Sequence, residues 1–242
     1  MERVICLVIG YLVGSIIQAG YWIGRFNHID IRNYGSGNAG TTNISRTLGK
    51  KIGVVTYLID TLKVTLACAI VHFIFIKFGT ETVYYGEVAP TMYNDIPLML
   101  LYIYTGMGVV LGHNFPFYLK FKGGKGIAAS SGVIFSLLLF PKHCWILTVL
   151  GFITFASVTL ITKYVSVGSL TFVGLFWIEF MIWGNLGWLP LFSGRFHYEA
   201  YAVIFIMTAL AYIRHRGNIN RLIHGTERKI GQKQATQGGL NG

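Results

Sequence analysis

Long apolar runs separated by short polar ones set the pattern of this chain. Seven apolar segments lie near residues 4–24, 53–76, 96–118, 124–140, 144–162, 164–183 and 198–213. A helix needs about 20 apolar residues to cross a bilayer, with tilt and local thinning allowed. The fourth segment is short and fits a re-entrant helix as well as a span. The pattern predicts an all-α membrane protein, a single domain over residues 1–242, with seven transmembrane helices in a bundle. Residues 4–24 are too long and uniform for a signal core and read as an uncleaved span. The stretch NLGWLPLF (185–192) is too short to cross and suits the interface, where Trp188 is at home. GxxxG spacings at Gly10/Gly14, Gly20/Gly24 and Gly108/Gly112 permit close helix packing.

Composition supports the membrane reading. Hydrophobic residues make up 53% of the chain and charged residues only 12%, about half the usual share for a soluble domain. The net charge of +11 would suggest nucleic acid on a soluble chain. Here the basic residues are dispersed among the spans, which argues against a nucleic-acid partner. They are also unevenly placed. Fifteen lie in one set of connections and the tail: Arg25, Arg32, Arg46, Lys50, Lys51, Lys120, Lys122, Lys125, Lys163, Arg214, Arg216, Arg221, Arg228, Lys229 and Lys233. Four lie on the other side: Arg3, Lys77, Lys142 and Arg195. The bias puts the C-terminus in the cytoplasm and, with an odd number of spans, the N-terminus outside. Cys6, Cys68 and Cys144 all sit in apolar segments without metal-ligand spacing and are expected as buried free thiols.

Three polar stretches fall on the cytoplasmic face in this topology. The first, GSGNAGTTNISR from Gly35 to Arg46, carries the G-x-G-x-x-G spacing of a dinucleotide loop. That fingerprint needs a preceding strand and a βαβ unit, which flanking spans cannot supply. The glycines Gly35, Gly37 and Gly40 still let backbone N–H groups approach an anion. Ser36, Asn38, Thr41, Thr42 and Asn43 add side-chain donors. A helix starting near Thr41 would put Thr42 and Arg46 on one face. The second stretch, Gly112 to Ser130, contains Gly123-Gly124-Lys125-Gly126 directly before an apolar run. It lacks the spacing of a Walker A loop, but glycines and one lysine at a helix start form a simple anion site. A basic interfacial loop touching anionic lipid explains Lys120 and Lys122 equally well. The third, Arg214 to Lys233, places His215 and Asn218 three apart on an extended last helix, hence on one face. A positive-inside stop signal accounts for its arginines but does not call for those two residues.

Inside the second segment Asp60 and Lys63 stand three residues apart. Each charge costs about 2.5–3.5 kcal/mol at mid-helix on insertion scales, and pairing reduces that cost. A structural ion pair is the expectation, with direct substrate contact as the alternative. His113 follows an apolar run and is expected to be a structural interfacial histidine.

Together, GSGNAGTTNISRTLGKKIG, GHNFPFYLKFKGGKGIA and RHRGNINRLIHGTERKIG resemble, in order, the three motifs of the bacterial acyl-phosphate:glycerol-3-phosphate acyltransferase family. The likeness covers nearly the whole chain, including the Asp60/Lys63 pair and Lys163-Tyr164. Ala39, Thr41 and Gly217 depart from the residues frequent at their positions. The resemblance implies a multi-pass enzyme of the bacterial inner membrane with its active site facing the cytoplasm. It implies transfer of a fatty acyl group from acyl phosphate to the 1-hydroxyl of glycerol 3-phosphate. The products are lysophosphatidic acid and phosphate, the first acylation of phospholipid synthesis. Ser36, Arg46, Lys125, His215 and Asn218 match positions that hold phosphate groups or line the active site. Gly40, Thr42 and Asn43 match the acyl-phosphate loop, and Gly37, Asn38, Gly123 and Gly124 are the further binding positions. The implied partners are the two substrates and membrane lipid, with the chain a monomer. Neither cofactor nor metal is expected.

The chemistry is consistent with that implication. Two phosphorylated substrates need two anion sites, and an acyl phosphate is a mixed anhydride with a good leaving group. No H-x-x-x-x-D dyad, Ser/His/Asp triad or cysteine nucleophile is legible. Direct attack by the glycerol hydroxyl, helped by positioning and charge stabilisation, fits best. His215 or a substrate phosphate oxygen takes the proton. The rival reading is a small organic-anion transporter, which also wants basic motifs. No internal repeat supports it, and the motifs lie at one interface rather than at mid-depth.

Overall fold

A computed structural model describes residues 1–77, 82–85, 88–93, 96–139, 143–189, 191 and 195–232. Among the described residues six helical segments are long and apolar enough to cross a membrane: Glu2–Phe26, Lys50–Phe75, Leu98–Leu119, Cys144–Thr162, Val165–Asn185 and Phe196–Arg214. The segment expected at 124–140 forms a shorter apolar helix, Ile127–Leu139, which matches its reading as the short one. The chain is therefore a helical membrane protein. The connection at 79–95, for which the sequence offered no role, lies partly outside the described residues. So do Lys142, Lys233 and parts of the stretch 185–192.

In chain order the elements are α1 (Glu2–Ile16), α2 (Ala19–Phe26), α3 (Thr41–Thr47) and α4 (Lys50–Lys77). Strands β1 (Thr82–Tyr85), β2 (Val88–Tyr93) and β3 (Ile96–Pro97) follow, then α5 (Leu98–Asn114), α6 (Ile127–Ser136) and α7 (Cys144–Thr162). The chain ends with α8 (Val165–Asn185), α9 (Arg195–Arg214) and α10 (Arg216–Ile223). The three strands pair antiparallel in the order β1-β2-β3, a small addition to an otherwise helical fold.

Helix α5 is the central post. Its span is 83% buried, against 28–44% for the others. It has almost no amphipathic character because apolar neighbours surround it. One core runs along it and gathers Val64, Leu101, Val133, Leu147, Phe176 and Ile204 from the packed helices. The other spans turn one face to lipid, where Phe152, Leu160 and Ile161 are exposed. Glycines set the α1–α5 contact. A Cβ on Gly10 would overlap the Thr105 carbonyl and come within 3.0 Å of the Gly108 Cα. One on Gly112 would overlap the Tyr11 carbonyl and come within 2.6 Å of the Ser15 nitrogen. The two GxxxG faces thus pack backbone to backbone, as small residues allow in membranes.

Two helices expected to be continuous are broken. The first span breaks at Ile17–Gln18, between α1 and α2. The freed backbone groups find new partners, as they must in hydrocarbon. Lys63 Nζ donates to the Ile17 carbonyl at 2.7 Å. Gln18 Nε2 donates to the carbonyls of Gly14, Gly112 and His113 at 2.8, 3.2 and 3.3 Å. The last span breaks at His215, so His215 and Asn218 do not share one extended helix. His215 stands at the N-cap of α10, and its Nδ1 lies 2.8 Å from the Ala211 carbonyl. A side chain that competes for the carbonyl four residues back is a recognised cause of such kinks.

Candidate active site

The first polar stretch folds as a turn leading into α3. Gly35 and Gly37 take positive φ of 61° and 68°, conformations that L side chains rarely adopt. Asn43, buried in α3, holds the turn from inside. Its Oδ1 accepts the Ser36 N–H at 2.9 Å, and its Nδ2 donates to the carbonyls of Tyr34 and Ile31 at 2.8 and 3.2 Å. With both ends engaged, Asn43 supports the loop rather than reaching outward. Ala39 packs into a small core with Ile31 and Ile44. A Cβ on Gly20 would overlap the Ala39 carbonyl, so the loop rests directly on α2. Arg46 leaves the last turn of α3 and donates to the Arg228 carbonyl at 3.4 Å.

The second stretch comes off the end of α5. Gly123 and Gly124 are buried between His113 below and Arg214 beside them. The Gly124 N–H donates to the His113 carbonyl at 3.0 Å. Arg214 Nη2 donates to the carbonyls of Gly124 and Gly123 at 2.8 and 3.2 Å, while its guanidinium covers the Phe115 ring at 5.1 Å. Side chains at either glycine are excluded: a Cβ on Gly124 would overlap His113 Nε2, and one on Gly123 the His113 carbonyl. Gly126, with φ 86°, caps α6, and Lys125 projects from this tight turn.

The third stretch closes the site. Lys125 Nζ donates to Asn218 Oδ1. Asn218 Nδ2 donates to Glu227 Oε1 at 2.7 Å, and Arg221 Nε donates to Glu227 Oε2 at 2.7 Å. Ser166, from the start of α8, donates to Glu227 Oε1 at 3.0 Å. The Ile230 N–H bonds the Lys163 carbonyl at 2.8 Å, and Lys229 lies over the Tyr164 ring at 5.7 Å. The tail is thereby docked on the α7–α8 turn.

Positive charge dominates the electrostatics of the cluster. Lys125 feels Arg221, Arg46 and Arg214, and Arg46 feels Arg228 and Arg221, with Glu227 as the opposing charge for both. Burial and the repulsion of Arg221, Arg46 and Arg214 push the Lys125 ammonium down to about 8, against the pull of Glu227. Burial, then Arg228 and Arg221, lower Arg46 in the same sense. Burial and the neighbouring Lys125 push His215 down to about 4, so its ring is neutral at pH 7. The Ala211 carbonyl can only accept, so Nδ1 carries the proton and Nε2 is left as an acceptor. Burial alone would raise Glu227, but hydrogen bonds from Asn218, Arg221 and Ser166 outweigh it and hold the carboxyl below its usual range. A phosphate group entering here would meet several cations in a partly dry setting, where each is worth more than in water.

The family model described as glycerol-3-phosphate acyltransferase matches residues 4–225. The chain belongs to the glycerol-3-phosphate acyltransferase family. A relative from Thermoanaerobacter sp. (strain X514), named glycerol-3-phosphate acyltransferase, is 36% identical over 96% of this chain and 98% of its own length. One of the same name from Clostridioides difficile (strain 630) is 37% identical over 96% of this chain and 97% of its own length. Among solved structures the glycerol 3-phosphate form of PlsY (YgiH), an integral membrane glycerol 3-phosphate acyltransferase, superposes with a TM-score of 0.70. It is 30% identical and covers 96% of each chain. The lysophosphatidic acid form of PlsY gives a TM-score of 0.68 at 29% identity, again over 96% of each chain.

In this glycerol-3-phosphate acyltransferase family member the fold brings together Arg46, Gly123, Gly124, Lys125, His215 and Asn218, one group from each polar stretch. Thr42 and Gly40 belong to the same short helix and cap as Arg46. Ser36 and Gly37 stand exposed at the rim of the first loop, with Asn38 half-buried beside them. Among the described contacts their tie to the cluster runs through Asn43 and α3. Four participants escaped the sequence reading as site residues: Arg214, Arg221, Glu227 and Ser166. Glu227 had a usable signal, being the single acid between Arg214 and Lys233. Arg214 and Arg221 were hidden among stop-signal arginines, and Ser166 carried no signal at all.

Proposed function

We propose that the chain transfers a fatty acyl group from acyl phosphate to the 1-hydroxyl of glycerol 3-phosphate. The products are lysophosphatidic acid and inorganic phosphate, and the reaction takes place at the cytoplasmic face of the bacterial inner membrane. The observation that carries this reading is the convergence of Arg46, Lys125, Arg214 and Arg221 around buried glycines at one end of the bundle. Such a site suits phosphate groups rather than a neutral solute. Family membership supports the acceptor, since the relatives are named for glycerol 3-phosphate. The lysophosphatidic acid form of PlsY supports the product. The fifteen-to-four distribution of basic residues supports cytoplasmic loops, a seventh crossing by the short helix and an outer N-terminus.

In this account the acyl chain stays in the membrane, where burial is worth about 0.8 kcal/mol per CH₂. An apolar groove between α8 and α9, lined by Gly174, Trp177, Phe205, Thr208 and Tyr212, opens one turn from His215 and suits that chain. Arg46 and Lys125 hold the phosphates, Ser36 and the glycine-rich backbone add donors, and Asn43 keeps the first loop in shape. Attack by the glycerol hydroxyl on the acyl carbonyl breaks the acyl–oxygen bond and releases phosphate. Neutral His215 lines the site and leaves the proton of the attacking hydroxyl to another acceptor. A side chain titrating near 4 is a weak base at neutral pH, so a substrate phosphate oxygen takes the proton.

The test is a product assay on purified protein in detergent with palmitoyl phosphate, glycerol 3-phosphate and, as a control donor, palmitoyl-coenzyme A. Phosphate release that requires both acyl phosphate and glycerol 3-phosphate, with lysophosphatidic acid formed in equal amount, is expected. Lys125→Ala is expected to abolish it while the protein remains folded. Product from the thioester but not the acyl phosphate would overturn the donor. No product from either would overturn the reading.

A further inference from the structure

Beneath the site lies a polar cluster that the proposed chemistry does not use. Asp60 and Lys63 on α4 and His113 on α5 are all buried within the bundle. Lys63 Nζ has three donors and three acceptors around it: the Ile17 carbonyl at 2.7 Å, Asp60 Oδ1 at 2.8 Å and His113 Nδ1 at 2.8 Å. An ammonium only donates, so His113 Nδ1 accepts and the ring proton sits on Nε2. The cluster is not arranged for its own satisfaction. Asp60 Oδ2 has no hydrogen-bond partner among the described residues, whereas every Lys63 donor is used. A buried ammonium needs three acceptors wherever it sits; here the other two come from groups at the roots of the two glycine-rich loops.

Those two contacts lead to the two glycine-rich loops. The Ile17 carbonyl is freed by the break in the first span, and α2 begins two residues later. Helix α2 carries Gly20, on which the Ala39 backbone of the first loop rests. His113 presents its Nε2 edge to Gly124 and its carbonyl to the Gly124 N–H. Lys125 is the next residue. Gln18 doubles the link by donating to the Gly112 and His113 carbonyls. One ammonium therefore holds the roots of both loops at fixed separation, from a position sealed from water and substrate.

We propose that Lys63 is a positioning residue: through Ile17 and His113 it sets the two glycine-rich loops relative to each other, so that the two substrate phosphates are held in reacting register. This rests on the function proposed above. It assigns the Asp60/Lys63 pair neither to the fold alone nor to direct substrate contact.

The decisive variant is Asp60→Asn/Lys63→Met, which removes both charges together and avoids an unpaired buried carboxylate. The folded variant is expected to lose about 100-fold in kcat, the scale for an ångström of misplacement, with KM raised for both substrates. A second readout does not depend on turnover. Competitive acetylation of Lys125 across pH, quantified by mass spectrometry, is expected to titrate near 8 in the parent chain. In the variant it is expected to move toward the ordinary lysine value as Lys125 leaves its cationic neighbours. Folded variant protein with parental kcat, KM and Lys125 titration overturns the proposal and leaves the pair a purely structural one. If the double variant does not fold, His113→Gln decides, since it keeps an acceptor for Lys63 but takes the ring edge from Gly124; the same loss is expected, and parental values overturn the proposal. If neither variant folds, the cluster serves the fold and the proposal is withdrawn. A parent chain that makes no product refutes the proposed reaction instead, and the acetylation profile still reports on loop geometry.

Discussion

Lys125 carries the most informative charge in the site. Its ammonium is held down to about 8 by burial and by three arginines. Phosphate binding needs the charged form, so kcat/KM for glycerol 3-phosphate is expected to fall as pH rises through about 8. Lys125→Arg keeps its charge throughout that range. A pH–rate profile of this variant is expected to be lower but to lack the alkaline limb; a limb that persists would assign the titration to another group. Glu227 tests the same electrostatics from the other side. It orients Asn218 and Arg221 and is the anion that supports the Lys125 charge. Glu227→Gln is expected to cost about 10- to 100-fold in kcat/KM through misplacement and to move the alkaline limb below its parental position. A limb that stays in place would remove Glu227 from the site's charge balance. Residues that the fold brings together were legible where a motif singled them out, as at Lys125, His215 and Asn218. Glu227 lies within the third motif, but a lone acid in a basic tail looks like ordinary surface.

Among the elements, glycine pairs carry the packing of α1 on α5. Gly10→Val places a branched side chain against the Thr105 carbonyl and the Gly108 backbone. Overpacking of this kind costs about 1–3 kcal/mol. A lower melting temperature and yield in detergent are expected, with activity per folded molecule retained because Gly10 lies away from the cation cluster. Unchanged melting would mean that the helices can separate there at no cost. The GxxxG spacings and the Asp60/Lys63 spacing were visible in the sequence, and both mark contacts made inside the bundle. The two helix breaks were not. Neither Ile17–Gln18 nor His215 is marked by proline, and the partners that make the breaks tolerable, Lys63 and the Ala211 carbonyl, are supplied by other turns or other helices. Hydropathy averages over a window and passes through such local events. It did register the shortness of the helix at Ile127–Leu139.

For the whole molecule, the arrangement concentrates cations at one end of an apolar bundle. Charge bias along the chain was enough to predict that the three polar stretches converge on one face. It could not reveal how they touch, because the contacts of Lys125 with Asn218 and of Arg46 with the Arg228 carbonyl join residues 93 and 182 positions apart. Single cysteines at Ser36, Lys122 and Gly217, one exposed position in each stretch, probe that convergence. The native Cys6, Cys68 and Cys144 are buried and give little background. Labelling with a membrane-impermeant maleimide in inverted and right-side-out vesicles is the most direct test of a shared phosphate site. The account predicts that all three positions react in inverted vesicles only; reaction of any one of them in right-side-out vesicles would contradict it.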